Sequence, residues 1–188
     1  RAAIEAAAKI LAEAKRPVIM AGDAVAQSRA LAELVALAEL IGAPVYAELI
    51  ANTASFPSSH PLFRGAMGRS QTVMRKIFDQ HDVLFSVGGD LFTLSLPNAV
   101  EPMPPGLPLI HLDVDPWEIC KNYPAQVAIL GDPKGTLPDI TAAVRERMAS
   151  GARVPQECAR WGRLVSRDVV RGNARLVVIS TASPRLGE

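Results

Sequence analysis

Apolar side chains recur at helical spacing near the start of the chain, where Ile4, Ala7, Ala8 and Leu11 are interleaved with Glu5, Lys9 and Glu13, and the pattern predicts a helix over 2–15. Arg16-Pro17 ends it. The continuous apolar run Val18 to Ala21, bounded by Gly22-Asp23, predicts a short buried parallel strand. Helical spacing returns over 27–41 through Leu31, Leu34, Val35, Ala38 and Ile41, with Gly42 placed to stop that helix. Ala43 to Glu48 reads as a second strand, and a loop rich in Ser, Asn and Pro is predicted from about Asn52 to Gly68. A helix through Val73, Met74, Ile77 and Phe78 follows, then a third strand over Val83 to Val87, closed by Gly88-Gly89-Asp90. A Pro-rich stretch to Pro108 leads into a fourth strand, Leu109 to Asp113, and a short helix near Trp117 to Lys121. Gln126 to Leu130 reads as a fifth strand, and Gly131-Asp132-Pro133 opens a last helix that runs to about Met148.

Helices and strands that alternate in this way imply right-handed crossovers and a parallel sheet covered on both faces. The expected fold is α/β, Rossmann-like and doubly wound, with a mostly parallel sheet of five or six strands.

Composition separates two parts of the 188-residue chain. Lys and Arg against Asp and Glu give 13 minus 16, or −3, over residues 1–150, and 7 minus 3, or +4, over 151–188, which sum to the net +1. The expected organisation is a domain over 1–148 and a linker or tail over 149–188. In the tail all cations are arginine, and without aromatic interleaving they make a thin footprint for nucleic acid, so no nucleic-acid partner is expected. Leu176 to Ser180 reads as a strand without an evident partner. No apolar run approaches the roughly 20 residues a membrane span needs, so no membrane association is expected. No secretory leader is recognisable, and the alanine-rich start reads as a cut inside a longer chain. Cys120 and Cys158 stand far apart in unlike contexts, which favours neither a disulfide nor a zinc site and points to a cytoplasmic protein.

Ligands of open parallel sheets bind beyond the carboxyl ends of the strands, near a reversal of strand order. Gly22, Gly88, Gly89, Asp113, Asp115 and Asp132 are the candidates there. They read either as a nucleotide crevice, with glycines admitting a phosphate to helix amides, or as tight turns capped by aspartate. Neither the G-x-G-x-x-G nor the G-x-x-x-x-G-K-[ST] fingerprint is present, which argues against an ordinary dehydrogenase or P-loop protein. His60, His81 and His111 are too scattered for a metal motif, and His111, inside a strand, reads as a satisfied core or edge residue. No G-x-S-x-G elbow presents a serine nucleophile. No metal site and no self-contained catalytic set are expected.

Several strings then fall in one order: Lys15 to Gly22, Ile41-Gly42-Ala43-Pro44-Val45, His60-Pro61-Leu62-Phe63-Arg64-Gly65, Asp82 to Gly89, Leu109 to Pro116, and Gly131-Asp132. Together, over roughly residues 1–148, they resemble the central domain of thiamine diphosphate-dependent enzymes, the group of benzoylformate decarboxylase and acetolactate synthase. The resemblance implies the middle piece of a three-domain parent that decarboxylates or ligates 2-oxo acids. Thiamine diphosphate and magnesium would be held by the flanking pyrimidine-binding and diphosphate-binding domains, in a homodimer or homotetramer, and this piece alone would be inert. It further implies that FAD lies across the sheet in flavin-dependent relatives and not in decarboxylases of the benzoylformate type. The strand-end residues named above would then contact FAD or an ADP-containing ligand, if one is bound, and the alternative to the structural domain is such a nucleotide-binding module. The loop 90–97 lacks the arginine and acidic string of the flavin-binding synthases. It also carries Ser95 where benzoylformate decarboxylase has an active-site histidine, which leaves Ser95 as a hydrogen-bonding candidate in a loop facing the parent's active site.

Overall fold

The computed structural model describes residues 1–48, 50–68, 70–92 and 99–150. In chain order its elements are α1 (Ala2–Glu13), β1 (Pro17–Ala21), α2 (Asp23–Gln27), α3 (Leu31–Ile41), β2 (Val45–Ala47), β3 (Phe63–Ala66), α4 (Gln71–Phe78), β4 (Val83–Val87), β5 (Leu109–Asp113), β6 (Val127–Leu130) and α5 (Pro133–Ala149). The strands form one sheet in the order β3-β2-β1-β4-β5-β6, every described pairing parallel. Strand order therefore reverses between β1 and β4. This is the doubly wound α/β architecture expected from the alternation of elements, with six strands.

The two faces of the sheet are filled by different helices. Ile19, Ala21, Phe85, Val87, Ile110 and Leu112 point to one face, where α1, α3 and α5 cover them with Leu11, Leu34, Leu37, Ile140 and Val144. The intervening residues Val18, Met20, Leu84 and Leu109 point to the other, against Met74 and Phe78 of α4 and against Leu91, Phe92 and Met103. Both faces are thus dry, which is why the central strands read as unbroken apolar runs. Full burial of a side chain such as Phe85 contributes about 1.5–3 kcal/mol.

Local chemistry sets the helix ends. Gly42 takes the left-handed conformation, φ 64°, that stops α3. Asp132 accepts from the amide of Lys134 at 3.0 Å and Pro133 opens α5, as the Gly-Asp-Pro string implied. Arg147 in the last turn of α5 reaches Glu5 in the first turn of α1 at 2.8 Å, joining the two ends of the described domain.

Three predicted elements differ. The helix expected over 27–41 begins only at Leu31, behind a separate short helix that ends at Gln27, because Ser28 bonds its hydroxyl back to Ala24 O at 2.6 Å and Arg29 turns left-handed at φ 59°. β3 lies inside the segment read as loop. Its residues alternate half-buried and exposed at the sheet's edge, so they never form the apolar run that marks an inner strand. The short helix expected near Trp117 is a chain of turns. Asp113 accepts from Asp115 N and Asp115 from Trp117 N, both at 2.8 Å, and Cys120 sits at φ 58°. The residues of the arginine-rich tail, the strand read over Leu176 to Ser180, and Ser95 lie outside the described residues.

Candidate functional site

At the reversal between β1 and β4 the two strand ends touch each other. A Cβ added to Gly22 would collide with the carbonyl of Gly88 and Cα of Gly89, and one added to Gly88, itself at φ 69°, would come within 2.6 Å of Ala24 Cβ. Only glycine permits this approach. Three of the amides at these turns are engaged by backbone. Gly22 N donates to Val87 O at 2.9 Å, Ala24 N to Gly88 O at 3.0 Å, and Gly88 N to Leu112 O at 2.8 Å. Three of the candidate residues, Gly22, Gly88 and Gly89, therefore do converge, in backbone contact with one another.

Glu48, which no sequence motif singled out, fills what remains. Its amide extends the β2 to β1 pairing by donating to Ala21 O at 2.9 Å. Its side chain crosses the end of β1 and lies against Gly89, where an added Cβ would stand 2.8 Å from the Glu48 carboxyl carbon. The residue is 7% exposed. Oε2 accepts from the amide of Asp90 at 3.2 Å, while Oε1 is buried without a partner among the described residues. Burial and the neighbouring Asp90 carboxyl push the Glu48 pKa up to about 8, so the group is largely neutral at pH 7.

The other candidates disperse. Asp113 ends β5 beside β4; burial raises its pKa although Asp115 N donates to it. Asp115 and Asp132 are occupied in capping amides, which is the structural reading of both. His111 is a satisfied core histidine. Nδ1 accepts from Cys120 N at 3.4 Å, which leaves the proton on Nε2 to donate to Gly89 O at 3.3 Å, and burial lowers its pKa. Asp23 is not a helix cap; it holds a loop, accepting five hydrogen bonds from the backbones and side chains of Asn52 and Thr53. Burial alone would raise its pKa, and these bonds outweigh burial and lower it. Among the described residues no three His, Cys, Asp or Glu side chains stand together to hold a metal ion, and no helix is long and apolar enough to cross a membrane.

Around this centre several large apolar side chains reach solvent. Ile50 beyond β2, Val114 and Trp117 beyond β5, and Leu130 at the end of β6 are exposed, Trp117 by 76%. The opposite end of the sheet is different. Between the amino ends of β3, β2, β1 and β4 lies a cavity of about 400 Å³ lined by Arg16, Tyr46, Arg64, Gln80 and His81.

A doubly wound parallel α/β domain with glycines in contact and a buried carboxyl at its switch point is the class these observations define. Residues 4–140 match the family model described as "Thiamine pyrophosphate enzyme, central domain", and the chain belongs to that family. It is 39% identical to a probable acetolactate synthase large subunit of Methanocaldococcus jannaschii, over 75% of this chain and 24% of that protein. It is 36% identical to an acetolactate synthase of Mycobacterium leprae, over 79% of this chain and 24% of that one. Among solved structures, it superposes on a thiamine diphosphate-dependent 4-hydroxybenzoylformate decarboxylase of Rhodococcus jostii with TM-score 0.69 and 30% identity, over 75% of this chain and 27% of that one. It superposes on benzoylformate decarboxylase of Polynucleobacter necessarius with TM-score 0.70 and 26% identity, over 75% and 26% of the two chains. The chain thus spans about a quarter of the length of the relatives it matches.

Proposed function

We propose that the chain is the non-catalytic central domain of a thiamine diphosphate-dependent enzyme that decarboxylates or ligates 2-oxo acids. The observation that carries this reading is the family match over nearly all of the described domain, in a chain that covers only about a quarter of its relatives' length. Relatives named for acetolactate synthesis and for benzoylformate, itself a 2-oxo acid, support the substrate class. Thiamine diphosphate, with magnesium, supplies the electron sink for the carbanion when bound by the parent's flanking domains. This chain's residues supply support: a rigid parallel sheet and an exposed apolar rim, Ile50, Val114, Trp117 and Leu130, against which those domains pack. The same reading includes a homodimeric or homotetrameric parent, a cytoplasmic location and a linker or tail over 149–188.

The test assays the full-length parent with thiamine diphosphate, magnesium and a panel of 2-oxo acids, beside the 188-residue chain alone. Turnover by the parent and none by the chain is the expected result. A parent inactive toward every member, or a chain that turns substrate over unaided, overturns the reading.

A further inference from the structure

The crevice at the reversal of strand order is where a sheet of this order receives a dinucleotide. Such a ligand needs room for a diphosphate between the two diverging strand ends, free amides at the helix that follows β1, and surroundings that tolerate negative charge. The described geometry works against each of the three. Gly22 and Gly88 are in backbone contact, which confines any opening to the space over Gly89. The amide of Ala24, in the first turn of α2, already donates to Gly88 O. The remaining space, over Gly89, is taken by the carboxyl of Glu48, with Asp90 facing it.

We propose that Glu48 is a built-in plug: its side chain occupies the volume in which a nucleotide diphosphate would lie, and so excludes FAD and ADP-containing ligands from this domain. The placement explains an otherwise costly arrangement. Burying a carboxyl with one oxygen unpartnered is unfavourable, and a strand-end side chain would ordinarily turn to water. Here it is kept inward because Gly89 has no side chain, which leaves room for the carboxyl, and because the Asp90 amide donates to Oε2 at the far end. Burial keeps the group mostly uncharged at neutral pH, which lowers the cost of holding it there. The plug acts first by volume, and any ionised fraction adds repulsion toward a diphosphate.

The experiment titrates the 188-residue chain with FAD, followed by flavin fluorescence, and with ADP, followed by equilibrium dialysis. Wild type, Glu48→Ser and Glu48→Gln are compared, each shown to be folded by its thermal transition. Wild type and Glu48→Gln, which keeps the volume, are expected to show no saturable binding up to roughly 100 µM, while Glu48→Ser binds at least about tenfold more tightly. Saturable uptake of one FAD per wild-type chain overturns the proposal, and that measurement needs no variant. So does a folded Glu48→Ser chain that binds no better than wild type. A Glu48→Gln chain that gains binding as Glu48→Ser does would overturn the assignment to volume.

Discussion

The two ends of the parallel sheet are built on opposite plans. At the amino ends a cavity of about 400 Å³ stands open among Arg16, Arg64 and His81, and at the carboxyl ends the strands meet backbone to backbone under a buried glutamate. A parallel sheet makes its carboxyl ends the natural ligand site, since the loops there lead into helix amino termini. This molecule has the topology of a binding site and, among the described residues, places contacting glycines and a buried glutamate there. Strand order therefore identifies where a site lies, and the side chains at that place decide whether anything enters.

The largest expected effect breaks the contact on which the closed end depends. Gly22→Val drives two methyl groups into the backbone of Gly88 and Gly89 and should cost upwards of about 4 kcal/mol in urea unfolding. Gly42→Ala, at the open end, costs only the left-handed backbone of one residue, about 1–2 kcal/mol. Equal losses would erase the contrast between the ends.

A second measurement follows stability with pH. Glu48 holds its proton up to about pH 8 when folded against an ordinary value of 4.5, so its contribution is complete below that ordinary value and is lost as pH rises through 8. Asp113, also raised, acts in the same direction, whereas His111, lowered from 6.5, contributes above that value and loses its contribution as pH falls. The unfolding free energy of wild type from urea titrations should therefore fall between about pH 4.5 and pH 8 by an amount of the order of a few kcal/mol, and Glu48→Gln should flatten most of that decline. A decline of equal size in both proteins would remove Glu48 from the account.

Smaller effects sharpen the picture. Asp23→Ala strips the acceptor from Asn52 and Thr53 and should cost about 1–2 kcal/mol, with faster hydrogen exchange at those two amides. Protection unchanged at both would show that the loop is held by something else. Trp117→Ser, on the apolar rim, should change the stability of the isolated chain by less than about 0.5 kcal/mol, since the side chain touches mostly water. In the full-length parent the same change should loosen domain packing, measured as increased protease cleavage on either side of the central domain.

Much of this fold was legible in the linear pattern. The inner strands are apolar runs because both faces of the sheet are dry, and Gly42 and Asp132 mark helix ends by chemistry local to them. β3 was not legible, because an edge strand with one wet face carries no such run. The convergence of Gly22, Gly88 and Gly89 was anticipated from their places at strand ends. The part played by Glu48 was not, since it depends on β2, β1 and β4 lying side by side, which brings residues 48 and 89 together across the intervening strand. The only local hint was an acidic residue at the end of the apolar run Val45 to Ala47, a pattern that ordinarily marks a strand emerging into water.

The link between Glu5 and Arg147 bears on how such a unit is carried in a longer polypeptide. It ties the opening turn of the first helix to the closing turn of the last, so chain enters and leaves the described domain at neighbouring points. Polypeptide attached on either side would start from neighbouring points. A unit with that geometry works as a cassette: it can be inserted, exchanged or allowed to diverge without changing the distance between the segments it joins.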